Sequence, residues 1–272
     1  PIVSAGHDHI TGLFAARVFA RGEEFLFDSM GSASVVAAVI KTGDRNLVFD
    51  TPFMSGGTVG VAFEDSQYYI ESNLRYYGKL LQSLMNLTGL QASIESYEKL
   101  NSEIEKSKIW NFEPLFLVNG DLSVGEGMHG ITILEMPITF TREQLIQSAY
   151  IYLASSSKLI VDNLEKITGK KLPIICGGGG SLNGLLMKYK ASLLEREILV
   201  LPTSELTALG GALAAASGVG DVQTVDRCIE NLRPLKTEVD NNIIARLMEI
   251  FNRNSSRYST IERERKIKFQ EG

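Results

Sequence analysis

Four consecutive glycines, at 177–180, constrain the fold more than any other feature of this sequence. They follow the apolar segment 172–176, which predicts a buried strand despite its proline, and they precede a helical pattern over 182–194. A glycine turn between a strand and a helix presents bare N–H groups that can bind an anion or lie against a flat ring. A tight turn without a ligand is the alternative, but glycines cost conformational entropy and four in a row favour the ligand role.

The segments around the glycine turn predict an α/β fold. Helices that alternate with strands are typical of a sheet with parallel crossovers, in which the helices cover the sheet. We predict a helix over 141–167 with Thr141 as N-cap and Gly169 as its end, a strand at 198–201, and a helix over 205–217 capped by Ser204.

The first half of the chain predicts a β-hairpin whose tip is rich in small and hydroxyl-bearing residues. Apolar strands at 25–27 and 35–40 flank this tip at 29–34. The other predicted elements are a short buried strand at 2–5, a loop over 112–130, and helices over 10–20, 73–87, 94–106 and 241–268.

Composition and charge argue against some classes of protein and of binding partner. The chain of 272 residues is 44% hydrophobic with no apolar run of membrane-spanning length, which is typical of a globular protein. Its net charge of −5 argues against nucleic acid as a partner. Cys176 and Cys228 lie far apart, so neither a disulfide framework nor a structural zinc site is expected, in keeping with a cytoplasmic location. The start at Pro1 is typical of a fragment or a processed chain.

Glycine spacing excludes two common nucleotide motifs. The dinucleotide fingerprint requires glycines at offsets of zero, two and five, but Gly177 and Gly179 lead to Leu182, and Gly178 and Gly180 lead to Asn183. The P-loop pattern, which ends in Gly-Lys-Ser or Gly-Lys-Thr, is also absent. A NAD site and a P-loop site are therefore both disfavoured.

Two further segments contain candidate site residues. At the hairpin tip, Gly31 and Ser32 could surround phosphate oxygens with N–H and O–H donors, although an ordinary Ser/Gly turn is the better interpretation of this segment taken alone. Asp8 follows a predicted strand, where a carboxylate could accept the proton of an attacking hydroxyl. His7 and His9 flank Asp8 and suggest a metal site as an alternative, but hydrogen bonding to Asp8 is the simpler interpretation.

Taken in order, these motifs resemble the C-terminal domain of the FGGY carbohydrate kinases. The resemblance extends from the first residues to about Gly218. It rests on four short motifs, which are Gly6-His7-Asp8, Gly31-Ser32, Gly178-Gly179-Gly180-Ser181-Leu182-Asn183 and Leu209-Gly210-Gly211-Ala212.

The resemblance implies an actin/hexokinase-like (ribonuclease H-like) ATPase lobe, with a mixed sheet flanked by helices and ATP held between two lobes. It implies that Asp8 is the general base on a sugar or polyol hydroxyl and that Gly31 and Ser32 contact the phosphates of ATP. It also implies that the turn at 178–180 and Asn183 contact the adenosine, with Mg²⁺ completing the set.

Other features of the family are missing or unsettled. The Asp-x-Gly-Thr phosphate loop of the family's N-terminal lobe is not found, so 1–220 is interpreted as the C-terminal lobe, 221–272 as a helical extension, and the sugar-binding lobe as absent. The segment 73–76 lacks the glycine expected near the nucleotide. A non-catalytic or regulatory nucleotide-binding module is the alternative function. The identity of the sugar stays open, as does the oligomeric state, for which a homodimer is one option.

Overall fold

The computed structural model describes residues 8–21, 23–44, 57–63, 66–74, 77–107, 115–119 and 130–270. Over these residues the chain forms a seven-stranded sheet, a separate two-stranded sheet and eight α-helices. The elements are α1 (Asp8–Phe19), β1 (Phe25–Met30), β2 (Ser34–Lys41), β3 (Thr58–Val61), β4 (Gln67–Leu74), α2 (Tyr77–Leu87), α3 (Ile94–Ser107), β5 (Leu115–Asn119), β6 (Gly130–Leu134), α4 (Arg142–Thr168), β7 (Ile174–Gly177), a 3-10 turn (Gly179–Leu182), α5 (Gly184–Leu194), β8 (Ile198–Val200), α6 (Leu206–Gly218), α7 (Val222–Asn231), β9 (Leu235–Thr237) and α8 (Asn241–Gln270).

The large sheet is mixed, with strand order β3-β4-β2-β1-β7-β8-β9. Strands β1, β7 and β8 are parallel to one another, whereas the outer pairs on both sides are antiparallel. Side chains alternate across β1, so that Phe25 and Phe27 join the apolar cluster on one face while Leu26 and Met30 join the cluster on the other. Because helices cover both faces, the central strands are buried on both sides.

The two faces carry different helices. Buried residues of α1 and α6 pack on the face of Phe25 and Phe27, whereas α2, α3, α4, α5 and α8 contribute to the cluster that contains Leu26. The helices α1 and α6 cross closely, because a Cβ added at Gly210 would lie only 1.8 Å from the carbonyl oxygen of Thr11. The fold therefore has three layers, with the sheet in the middle.

Several predictions from local sequence are confirmed. The hairpin forms between β1 and β2, with Met30 paired to Ser34. Helix α4 begins in a capping box, in which the Thr141 hydroxyl accepts from the amide of Gln144 and the Gln144 side chain accepts from the amide of Thr141. The helix ends at Gly169, whose φ of 66° is the left-handed conformation that favours glycine.

Three predicted boundaries are wrong. Asn73 belongs to β4 rather than to a helix, because β2 continues to pair there and places Val35 opposite it. Part of the predicted loop at 112–130 forms β5, which pairs with β6. Ser204 does not cap α6; the N-cap is Glu205, which makes no side-chain cap bond. The predicted strand at 2–5 lies outside the described residues.

The C-terminal segment adds to the same core. Strand β9 extends the large sheet by pairing with β8, and α8 buries Leu247, Ile250 and Phe251 in the cluster that also contains α5. The division of the chain near residue 220 stays a prediction. In the described part of the chain, no helix combines the length and the apolar character needed to cross a membrane.

Candidate functional site: a pocket beside the glycine turn

The glycine turn lies where β7 ends, at the carboxyl edge of the parallel strands. Gly178 has a φ of 96°, a conformation that residues with a Cβ rarely adopt. Gly180 lies against β1, since an added Cβ would be 3.1 Å from the Cβ of Met30. Only open space surrounds a Cβ built on Gly179. Packing thus explains the glycines at 178 and 180, whereas Gly179 leaves room for something outside the fold.

That open space is part of a pocket of about 560 Å³ between α2, α3 and the N-terminus of α5. Its volume lies within the range of small-molecule sites. The first amides of a helix have no partner within that helix, so the beginnings of the 3-10 turn and of α5 suit a ligand, although the amide of Leu186 already donates to the side chain of Asn183. The lining residues are Gly78, Leu81, Ile94, Tyr97, Glu98, Asn101, Ser102, Glu105, Gly179, Gly180, Leu182, Asn183, Gly184, Leu185 and Lys188.

The side chain of Asn183 is held by three hydrogen bonds. Its Oδ1 accepts from the backbone amide of Leu186 at 3.1 Å and from Nδ2 of Asn101 at 3.1 Å. Its Nδ2 donates to the hydroxyl of Tyr150 at 2.8 Å. Asn183 is therefore the N-cap of α5 and also ties α5 to α3 and α4. It lines the pocket and fixes the shape of the pocket wall.

An ion-pair cluster lies at the rim of the pocket, between α3 and α5. The ammonium of Lys188 lies 3.1 Å from a carboxylate oxygen of Glu105 and 3.3 Å from one of Asp240. Partial burial disfavours the charged amine, but these two carboxylates outweigh burial and raise the pKa of Lys188. The amine stays positive at neutral pH, next to the space that a ligand would enter.

The hairpin tip packs directly against the start of α2. The amide of Gly78 donates to the carbonyl oxygens of Gly31 and Ser32, at 3.2 and 3.1 Å, and the amide of Lys79 donates to Ser32 as well. A Cβ on Gly78 would lie 2.4 Å from the carbonyl oxygen of Gly31, so this contact requires glycine. Gly31 and Ser32 are exposed beside the pocket, and Gly78 is part of its lining.

Gly78 lies close to the segment where the family resemblance implies a glycine that the sequence lacks. The segment 73–76 has no glycine, but Gly78, the second residue of α2, lines the pocket only two residues later. Sequence interpretation missed it because the predicted helix began at residue 73, so that position 78 fell in a helix interior. A glycine beside a strand-to-helix boundary was the available signal.

A buried ion pair links the β1–β2 hairpin to α5. Asp28 on β1 and Lys190 on α5 are in direct contact, and both side chains are fully buried. The hydroxyl of Ser34, at the start of β2, donates to the other oxygen of Asp28 at 2.8 Å. Burial opposes the charge of Lys190, but the Asp28 carboxylate raises the pKa of that amine. The pair joins both hairpin strands to the helix that follows the glycine turn.

Asp8 begins α1 and is exposed. The hydroxyl of Thr207, in the first turn of α6, donates to its carbonyl oxygen at 3.4 Å. One turn further along α1, Gly12 lies against Leu206, which also contacts the position of Gly177 at the end of β7. Asp8 is therefore at the same edge of the sheet as the glycine turn. It sits on the α1–α6 face, however, and does not line the pocket.

The predicted site residues thus fall into three groups. Gly179, Gly180 and Asn183 line the pocket. Gly31 and Ser32 adjoin the pocket through Gly78. Gly178 and Asp8 do not line it, because Gly178 packs on Met30 and Asp8 lies on the opposite face of the sheet, with α1 and α6. His7 lies outside the described residues, so the metal alternative for His7 and His9 stays a prediction. Within the described ranges, no cluster of three or more acidic, histidine or cysteine side chains could hold a metal ion.

Helix α3 was predicted only as a helix, yet one of its faces forms a wall of the pocket. Tyr97, Asn101 and Glu105 recur at intervals of four residues, which places them on the same face. This stripe of polar and aromatic residues was visible in the sequence. It was not interpreted as a site because a solvated helix face has the same pattern.

Comparison with known proteins places this chain in a family. A profile of the C-terminal domain of the FGGY family of carbohydrate kinases matches residues 29–219. A glycerol kinase from Haloferax volcanii is 26% identical over 234 residues, which are 85% of this chain and 44% of the relative. Glycerol kinase 1 from Lactiplantibacillus plantarum is 24% identical over 236 residues, or 86% of this chain and 45% of the relative. The chain therefore spans less than half the length of these curated relatives.

Solved structures show the same fold. Xylulose kinase from Rhodospirillum rubrum matches with a TM-score of 0.71 at 18% identity, covering 94% of this chain and 50% of that protein. Plasmodium falciparum glycerol kinase with ADP matches with a TM-score of 0.65 at 16% identity, covering 92% and 50%. The predicted actin/hexokinase-like fold, with a mixed sheet flanked by helices, is thereby confirmed. Since the family profile covers most of the sequence, the chain belongs to the FGGY family of carbohydrate kinases, as their C-terminal domain.

Proposed function

We propose that this chain is the ATP-binding half of a kinase that transfers a phosphoryl group from ATP to a hydroxyl of a sugar or polyol. The observation that supports this most strongly is the pocket beside the glycine turn, at the carboxyl edge of the parallel strands. Ligands of α/β proteins collect at that edge. The glycerol kinase relatives provide independent support for the reaction class.

The adenosine would occupy the pocket. Gly179 and Gly180 allow close approach to the main chain, and the exposed side chains of Ile94 and Leu182 offer apolar surface to a flat ring. In this arrangement Asn183 would position the pocket wall rather than hydrogen-bond the adenosine, because its polar side-chain atoms are already bonded.

The phosphates would extend from the pocket to the hairpin tip. Gly31 and Ser32 are exposed there and can supply a backbone N–H and a hydroxyl to phosphate oxygens. Phosphoryl transfer relies mainly on positioning and charge stabilisation, so a rigid tip matters more than a reactive side chain. Gly78 and the buried pair beneath the hairpin provide this rigidity.

Asp8 would act as the general base. Its carboxylate would accept the proton of the sugar hydroxyl as the hydroxyl oxygen attacks the γ-phosphorus, and the bond from that phosphorus to the bridging oxygen of ADP would break. The exposed position of Asp8 at the sheet edge leaves room for a sugar presented by a second lobe.

Mg²⁺ is expected to accompany the nucleotide. The described residues do not form a metal site by themselves. Mg²⁺ usually keeps several waters and binds through substrate phosphates and one or two carboxylates, so the phosphates of ATP would hold most of it. The free thiols of Cys176 and Cys228 are in keeping with a cytoplasmic location.

Kinase assays test the proposal. We expect this chain, joined to an N-terminal lobe of the same family, to convert ATP to ADP only when an accepted sugar or polyol from a panel is present. The chain alone should bind nucleotide weakly and show little or no turnover, because the second phosphate loop and most sugar contacts belong to the other lobe. If ATP is hydrolysed at a rate that no sugar or polyol in the panel changes, a regulatory nucleotide-binding module is favoured instead. Full activity of the chain alone would contradict the two-lobe account.

A further inference from the structure

We propose that Asp240 is a positioning residue for nucleotide binding, and that it acts through Lys188 at the rim of the pocket. Asp240 lies between β9 and α8, in the C-terminal segment beyond the residues 29–219 that the family profile matches. It does not line the pocket itself, whereas Lys188 does. This inference rests on the proposed function, since it assumes that a nucleotide occupies the pocket, and it gives the C-terminal segment a part in that site.

The two oxygens of the Asp240 carboxylate contact different parts of the chain. Oδ1 accepts from the backbone amide of Asn242 at 3.0 Å, and the carbonyl oxygen of Asp240 accepts from the amide of Ile243 at 3.2 Å, so Asp240 caps the start of α8. Oδ2 lies 3.3 Å from the ammonium of Lys188 on α5. One carboxylate therefore joins the beginning of α8 to the pocket lining.

Further contacts fix the start of α8 on α5. The backbone amide of Asp240 donates to the hydroxyl of Ser192 at 3.0 Å, one turn further along α5 than Lys188. Leu247 and Ile250 of α8 are buried in the apolar cluster that also contains α5. Because its backbone is held in this way, Asp240 can restrain the flexible side chain of Lys188.

Lys188 carries this restraint to the pocket. Its ammonium also lies 3.1 Å from a carboxylate oxygen of Glu105, so that α3, α5 and the start of α8 meet at one cation. Without the Asp240 contact, the long side chain of Lys188 would populate more rotamers beside the pocket. A ligand would then have to order that side chain again, and this loss of entropy weakens binding.

The charge of Asp240 predicts the opposite effect. Lys188 lies between two carboxylates, those of Glu105 and Asp240, beside the space that an anionic nucleotide would enter. Through its Coulombic interaction alone, removal of one carboxylate would strengthen the binding of an anion. If ADP binds more weakly after the Asp240 charge is removed, the cause is therefore the loss of positioning and not the change in charge.

Titrations of the 272-residue chain with ADP, followed by NMR, test the proposal. Asp240→Asn keeps the shape of the side chain and an oxygen that can cap α8, but it loses the charge that holds Lys188. We expect the Kd for ADP to rise about threefold, within the range for ordering one long side chain. The matched control is Glu197→Gln, which removes a carboxylate that pairs with Lys236 of β9 at 3.0 Å, away from the pocket lining, and it should leave the Kd unchanged.

A double-mutant cycle shows whether Asp240 acts through Lys188. In the Lys188→Met background, Asp240→Asn should no longer weaken the binding of ADP. Equal weakening in both backgrounds would overturn the proposal, because Asp240 would then act by another route. An unchanged or lowered Kd in Asp240→Asn alone would also overturn it, while leaving the nucleotide site intact. If the unmodified chain does not bind ADP, the proposed function is overturned as well.

Discussion

Asp8→Asn is expected to lower the rate of sugar phosphorylation by about 10²–10⁴-fold, the usual contribution of a positioned general base. Asparagine has the same shape as aspartate but cannot accept the proton of the attacking hydroxyl. Because Asp8 lies outside the nucleotide pocket, ATP affinity should not change. The measurement is kcat for the accepted sugar, together with the Kd for ATP, in the protein that carries both lobes.

A matched variant shows whether any effect is specific to this carboxylate. Asp226→Asn removes an exposed carboxylate on α7 and should leave kcat unaltered. Near-normal phosphorylation by Asp8→Asn would show that another group removes the proton, or that transfer needs no base. A loss of ATP affinity in Asp8→Asn would instead indicate a role in nucleotide binding.

Lys190→Met is expected to destabilise the fold by about 3–5 kcal/mol, because it leaves the buried carboxylate of Asp28 without its counter-charge. The hydroxyl of Ser34 would then be the main remaining partner of that carboxylate. Urea denaturation gives the free energy of unfolding. The hairpin tip should also lose its fixed position, so nucleotide affinity should fall in the remaining folded protein.

Two further variants separate the charge from the packing. The double variant Asp28→Leu with Lys190→Met removes both charges and should recover most of the lost stability, as apolar replacements of buried ion pairs often do. Lys188→Met, two residues earlier on α5, breaks only partly exposed ion pairs with Glu105 and Asp240 and should cost about 1 kcal/mol. If Lys190→Met were as mild as Lys188→Met, the buried pair would have no special role.

Local sequence rules predicted much of the fold because they depend on residues close together in the chain. The N-cap at Thr141, the helix end at Gly169 and the β1–β2 hairpin each arise from neighbouring residues. The end of β4 was missed because its strand character at Asn73 comes from pairing with Val35, which lies far away in the sequence.

The predicted residues that line the pocket are those of the glycine turn and Asn183, whereas the side chains that pair with one another from distant parts of the chain were missed. The glycine run signals a bare backbone by itself, and Gly179 and Gly180 indeed line the pocket. The partnerships of Asn101 with Asn183 and of Asp28 with Lys190 join positions that are 82 and 162 residues apart. No local pattern reveals such pairs, because each member alone resembles an ordinary polar residue of a helix or strand.

The central claim is that the pocket beside the glycine turn holds the adenosine of ATP. A titration of the isotope-labelled 272-residue chain with ADP, followed through its backbone amide NMR signals, tests this most directly. We predict that the signals of Gly179, Gly180, Gly184 and Gly78 shift together with increasing ADP while those of α7 stay in place. Shifts confined to other parts of the chain, with these four glycine signals unmoved, would contradict the account.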